Sequence, residues 1–133
     1  MAVKFSVAEG GFIQDLSAGG NKIEFRIRGS IENPILEALS APAYTSLGLD
    51  ITNATLVVAR GQVGFFRIDI RSTDTDGTNE LTHISQTVEI DSAGDSGQAL
   101  TIDESEIEPG KVIKMYVQYI SGSISSDISV TLD

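Results

Sequence analysis

A chain of 133 residues with 41% hydrophobic side chains has the size of one domain and can bury a core of its own. It contains no cysteine, which excludes disulfides, thiolate metal sites and a cysteine nucleophile, and a single histidine, His83. The net charge of −10 comes entirely from residues 73–133, where twelve acids face only Lys111 and Lys114 while seven acids and seven bases cancel in residues 1–72, and such a surface repels the phosphate backbone of a nucleic acid.

Alternation of apolar and polar side chains with a period of two dominates the chain. Val3, Phe5 and Val7 alternate with Lys4 and Ser6 and predict a first strand. There is no apolar run of secretion-signal length there, and none approaching the ~20 residues of a membrane span anywhere. The expectation is a protein made in the cytoplasm that stays soluble, without a membrane partner. Gly10-Gly11 and Gly19-Gly20 permit residues 1–20 to form an N-terminal arm. Ile23, Phe25 and Ile27 alternate with Lys22, Glu24, Arg26 and Arg28, a strand with one charged, wet face. Asn33 suits a helix cap, Pro34 the first helical position, and Ala41-Pro42 a stop. A short helix over Pro34–Ser40 is therefore expected in a connection.

Leu47, Leu49 and Ile51 form another alternating set, and Ala54 to Ala59 is apolar on both faces, as in a strand covered on both sides. Strands follow at Val63–Arg71, Leu81–Ile90, Gln98–Ile102, Lys111–Ile120 and Asp127–Leu132. Turn chemistry separates them at Asp76-Gly77, Gly94 with Gly97, Pro109-Gly110 and Ser121 to Ser126. About eight antiparallel strands without an internal repeat predict an all-β chain. The expected form is a single jelly-roll-like β-sandwich over residues 1–133.

Two strands place large apolar groups on what should be the wet face. With Phe66, Ile68 and Ile70 inward, Val63, Phe65, Arg67 and Asp69 point outward. In the strand near the C-terminus, Ile113, Met115, Val117 and Tyr119 share one face, and Val112, Lys114, Tyr116, Gln118 and Ile120 share the other. A mixed face of this kind suits contact between subunits, and a bulge at Phe65-Phe66 or cover by the helical connection would account for it equally well. The candidate oligomer interface is Val63, Phe65, Tyr116 and Ile120.

No constellation for catalysis, a metal or a cofactor assembles. Gly94-Asp95-Ser96-Gly97 matches most of the nucleophile segment of chymotrypsin-like proteases, but His83 in Leu81-Thr82-His83-Ile84 lacks that family's surroundings, and a turn explains the same letters. His83 falls out of phase with Ile84, Gln86, Val88 and Ile90, which places it on the surface or at an interface. Asp74-Thr75-Asp76-Gly77-Thr78-Asn79-Glu80 has the oxygen ligands of a calcium loop without EF-hand spacing or flanking helices, so a polar hairpin loop is the simpler reading. Asp103, Glu104, Glu106 and Glu108 read as a solvated connection rather than the paired carboxylates of a glycosidase. Tryptophan, the commonest sugar-stacking platform, is absent, leaving Tyr44, Tyr116 and Tyr119. The expectation is no enzyme, no cofactor and no metal.

The run Glu108-Pro109-Gly110-Lys111-Val112-Ile113-Lys114-Met115-Tyr116-Val117 resembles the acidic, Pro-Gly, amphipathic-strand element of jelly-roll subunits of the tumour-necrosis-factor and C1q-like class. Phe65-Phe66-Arg67-Ile68-Asp69-Ile70 before it and Asp127-Ile128-Ser129-Val130-Thr131-Leu132 after it fit the same order. Small cysteine-free jelly rolls of this style look similar to bacteriophage capsid decoration (cement) and head-fibre proteins. The resemblance spans roughly residues 47–133 as a pattern, and Met1 to Ala43 has no counterpart in it. It implies a homotrimer on the capsid surface of a virion, bound to the major capsid protein and strengthening the head mechanically. The alternative is a carbohydrate- or receptor-binding module of a phage tail fibre or similar lectin-like sandwich.

Overall fold

Residues of strand-forming pattern become strands wherever they can bury every second side chain. The computed structural model describes residues 4–8, 11–15, 22–27, 30–38, 40–58, 63–90, 96–122, 124–125 and 128–133; residues 4–8, 11–15, 30, 96 and 124–125 are described as backbone. The strands in chain order begin with β1 (Lys4–Ala8), β2 (Gly11–Asp15), β3 (Ile23–Ile27), β4 (Ser30–Ile31), β5 (Glu37–Ala38), β6 (Ala43–Thr45) and β7 (Leu49–Asp50). They continue with β8 (Ala54–Val58), β9 (Gly64–Thr73), β10 (Leu81–Ile90), β11 (Ser96–Ala99), β12 (Glu106–Ile107), β13 (Lys111–Gly122), β14 (Ile124–Ser125) and β15 (Ile128–Leu132). The chain is all-β, and no helix occurs among the described residues.

One sheet runs β1-β2-β6-β13-β9-β10, with β5 also against β13; the other runs β11-β8-β15-β3. Taking β3, β6, β8, β9, β10, β11, β13 and β15 as first to eighth, the sheets read second-seventh-fourth-fifth and sixth-third-eighth-first. That order is two interlocked Greek keys, an eight-stranded jelly roll. The β1–β2 hairpin lengthens the first sheet through a parallel pairing of Gln14 with Ala43 and Asp15 with Tyr44. Two-stranded ribbons, β4 with β14 and β7 with β12, complete the pairing.

The inner faces of both sheets meet in one apolar cluster. Ile23, Phe25, Leu56 and Val130 of the smaller sheet pack with Phe66, Ile68, Ile70, Ile84, Ile113 and Met115 of the larger, all at most 1% exposed. Burying each such side chain contributes ~1.5–3 kcal/mol, and together they oppose the chain entropy. Alternation therefore identifies the inward residues of β3, β9 and β13 correctly.

Three local expectations are corrected. The helix over Pro34–Ser40 does not form. Asn33 Oδ1 accepts the Ile35 N–H at 2.9 Å, the Tyr119 N–H donates to the Asn33 carbonyl, and Glu37–Ala38 pair with Val117 and Tyr116. A seven-residue helix would carry the full nucleation cost for few hydrogen bonds, and pairing with β13 offers the same backbone a better outlet. The strand from Ala54 is covered on one side only. Ala54, Leu56 and Val58 are buried while Val57 is exposed, and Ala59 lies outside the described residues. The strand expected at Gln98–Ile102 is β11, which ends at Ala99; the Leu100 N–H then turns to the Ala54 carbonyl, and the Thr101 N–H to the Gln86 side chain.

Candidate functional site

The outer face of β10, β9 and β13 carries the residues singled out in the sequence. Cross-strand register sets Ser85, Asp69 and Tyr116 in one row, Thr87, Arg67 and Gln118 in the next, and Glu89, Phe65 and Ser121 in the third. Arg67, Asp69 and Arg71 lie on alternate positions of β9, so all three project to the same side. Asp69 is 1% exposed although it stands on an outer face, because two guanidinium groups roof it over.

The roof is a hydrogen-bond network. Arg67 donates through Nε and Nη2 to the two Asp69 oxygens at 2.9 and 3.0 Å, and Arg71 Nη2 donates to Oδ2 at 2.6 Å. Ser85 Oγ donates to Oδ1 at 2.9 Å. Burial alone would raise the Asp69 pKa. The hydrogen bonds from Arg67, Arg71 and Ser85 outweigh the effect of burial and hold the carboxyl below the usual aspartate value. The carboxylate remains charged because these donors together offset the cost of its burial. Arg71 also reaches Glu80 at 3.2 Å and lies 4.8 Å above the Tyr116 ring centroid. It thereby occupies one face of the ring that a sugar would otherwise stack on.

Val63, Phe65 and Ile120 gather at the end of this face away from Arg71. Ile120 is the extra residue of a bulge between Tyr119 and Ser121, and Ser121 pairs with Phe65. The bulge leaves Tyr119 on the core, with its hydroxyl donating to the Gly122 carbonyl at 2.7 Å, and turns Ile120 out. Val63, Phe65 and Ile120 are 65%, 38% and 47% exposed. Tyr116 stands two rows away and is half-buried under Arg71, so it joins the charged network rather than the apolar group.

His83 departs from the sequence reading. The register between β9 and β10 shifts between Thr82 and Ile84, and this bulge turns His83 inward, where it is 0% exposed. Alternation carried back from Ile84 predicts the opposite face because it assumes an unbroken pleat. His83 Nδ1 lies 2.7 Å from the Glu104 carbonyl, and Nε2 lies 2.7 Å from Ser72 Oγ. A carbonyl only accepts, so Nδ1 carries the hydrogen; in the neutral ring Nε2 then accepts from Ser72. The Asp103 and Glu104 N–H groups both return to the His83 carbonyl. One residue thus ties β9, β10 and the 100–105 connection together.

Ser72 and His83 have the spacing of a nucleophile and its base, but Ser72 is 2% exposed and the depression described below is lined by neither residue. No substrate carbonyl has access to this pair as it stands, so it works as a structural fastener. The protease-like segment is likewise dispersed: Ser96 starts β11 opposite Val58, His83 bonds to Ser72, and residues 91–95 lie outside the described residues.

The acidic loop after β9 uses its oxygens internally. Asp74 accepts from Lys111 and Asn79, and Asp76 accepts from the Thr78 N–H and hydroxyl. These bonds, led by Lys111 for Asp74 and by Thr78 for Asp76, hold both carboxyls below the usual range. Asn79 sits at φ 55 to close the turn, and no metal-type cluster occurs among the described residues. Asp103, Glu104, Glu106 and Glu108 are all exposed.

Asp69 is the residue that sequence reasoning passed over. Its signal is the alternation of charge at Arg67, Asp69 and Arg71 within one outward phase, which calls for mutual neutralisation on the surface of a sheet.

No family model matches the chain, and no curated protein matches it. Among solved structures, a crystal structure of PirA aligns with a TM-score of 0.39 at 8% sequence identity, covering 87% of this chain and 96% of that one.

Proposed function

We propose that this jelly roll is a structural virion subunit, a capsid decoration protein. In this reading it associates with copies of itself as a trimer and seats on the outer surface of an assembled phage head, against the major capsid protein. The observation that carries the reading is the group Val63, Phe65 and Ile120. Three large apolar side chains stand exposed at one end of a sheet face on which Arg67, Asp69, Arg71 and Glu80 are already paired with one another. Charged side chains are costly to desolvate, and a face that has paired them beforehand loses less on docking. Sealing of the Ser72–His83 pair favours a mechanical role over a catalytic one.

The mechanism is linkage. A subunit that binds the assembled shell and not its free components shifts the equilibrium toward the shell. Light scattering at micromolar concentration tests the self-association: the expected mass is three chains. Phe65→Ser with Ile120→Ser, each removing an apolar anchor worth ~1 kcal/mol or more, is expected to weaken assembly at least about fivefold per anchor. A wild-type mass of one chain sinks the oligomer. Failure to co-sediment with purified phage heads sinks the capsid role.

A further inference from the structure

The ribbon of β7 and β12 frames a second feature that the outer sheet face does not use. Leu49 pairs with Ile107 and Asp50 with Glu106, and beside this ladder lies a depression of about 310 Å³. The apolar part of its lining, its floor, is Leu47, Leu49, Ile107 and Pro109, and Gly48, Asp50, Glu106 and Glu108 make up the rest. Ile107 is buried, whereas Leu47 is 59% exposed, so the floor ends in a side chain that has no cover of its own. The chain is drawn tight here. Gly48 adopts φ +79, and a Cβ at that position would lie 2.7 Å from the Ile107 carbonyl and 3.1 Å from Pro109. Close backbone approach leaves room only for glycine at this edge of the depression.

The rim carries one sign of charge. Asp50, Glu106 and Glu108 are all exposed around the floor, and the neighbouring base, Lys111, is committed to Asp74. An apolar hollow bounded by carboxylates on a low-dielectric wall focuses a negative potential. A second copy of the chain, itself at −10, is repelled from it.

We propose that this depression binds a short segment of another protein in which an apolar side chain is flanked by lysine or arginine. The apolar side chain enters beside Leu47, and the flanking cations face Asp50, Glu106 and Glu108. The volume is at the small end for ligand sites, which suits one anchoring side chain rather than a folded partner. This inference does not depend on the role of Phe65 and Ile120.

The test is a ¹⁵N-resolved NMR titration of the full chain with an acetylated hexapeptide of alternating lysine and leucine, and in parallel with hexalysine. Saturable shifts confined to residues 47–50 and 106–109 are expected with the first peptide and weaker binding with the second. Glu106→Gln combined with Glu108→Gln is expected to weaken binding about tenfold, and the loss to shrink as salt rises. Leu47→Asp separates the apolar contribution from charge, because it deepens the negative field while removing the floor. It is expected to abolish saturable binding of the lysine–leucine peptide. Tighter or unchanged binding by Leu47→Asp, equal affinity for hexalysine, or shifts scattered over the acidic surface each overturn the proposal. Phe65→Ser is expected to bind the peptide as the parent does, so failure of the oligomer reading leaves this result intact.

Discussion

Truncating His83 to alanine removes two hydrogen bonds, a buried one to Ser72 and a part-buried one to the Glu104 carbonyl, both 2.7 Å long. Each contributes ~0.5–1.5 kcal/mol net, and stranding a buried partner adds to the loss. Deleting an aromatic-sized ring from a site that is 0% exposed leaves a cavity as well, for which large-to-small core changes cost ~3–5 kcal/mol. These contributions overlap, and the expected loss is about 3–5 kcal/mol, a large share of the ~5–15 kcal/mol typical of a domain. Urea unfolding followed by far-ultraviolet circular dichroism measures it. Ser72→Ala alone should cost about 1–2 kcal/mol, because it strands Nε2. In the double variant that cost should largely vanish, giving a coupling of about 1 kcal/mol or more. Strict additivity, or a loss under about 1 kcal/mol for His83→Ala, would refute the fastener.

Other perturbations follow from the same geometry. Asp69 has a folded pKa below its unfolded value of 3.8, so its contribution is fully present above that value and is lost as pH falls through the folded one. Urea midpoints between pH 5 and pH 2 should therefore fall less steeply for Asp69→Asn than for the parent; parallel curves would contradict the network. Gly122→Ala should cost about 3 kcal/mol or more, since φ is +81 and the new Cβ would run into the Val63 carbonyl oxygen. Gly77→Ala, at φ +86 with no atom within 4 Å, should cost only about 1–2 kcal/mol, and equal losses in the two thermal melts would refute the close approach. Millimolar calcium should produce no calorimetric heat and no melting shift, because Lys111 and Asn79 occupy both oxygens of Asp74 and Thr78 holds Oδ1 of Asp76; a saturable heat would reverse that reading.

Much of the fold is legible in the periodicity alone. Phe66, Ile68 and Ile70, or Ile113, Met115 and Val117, cannot all be buried unless their strands lie flat on one core. Misreadings occur where the period breaks or where a distant strand decides. His83 is turned inward and Ile120 outward by single-residue bulges, which leave no mark in an apolar–polar pattern. Residues 34–38 have good helix punctuation, yet β13 takes their backbone from some eighty positions away. Of the candidate interface, Val63, Phe65 and Ile120 come together, while Tyr116 is claimed by Arg71, a contact that depends on cross-strand register rather than on residue type. The buried Asp69 was visible only as alternating charge, because no local rule states which guanidinium will cover a carboxylate.

β15 occupies an interior place in its sheet, between β3 and β8, and every partner it pairs with precedes it by at least seventy positions. Until residues 128–132 leave the ribosome, β3 and β8 face one another across an open slot, and half of the core has no lid. Such distant pairing makes closure slow and leaves exposed edges for longer, so the smaller sheet should form only once residues 128–132 are available to fill it.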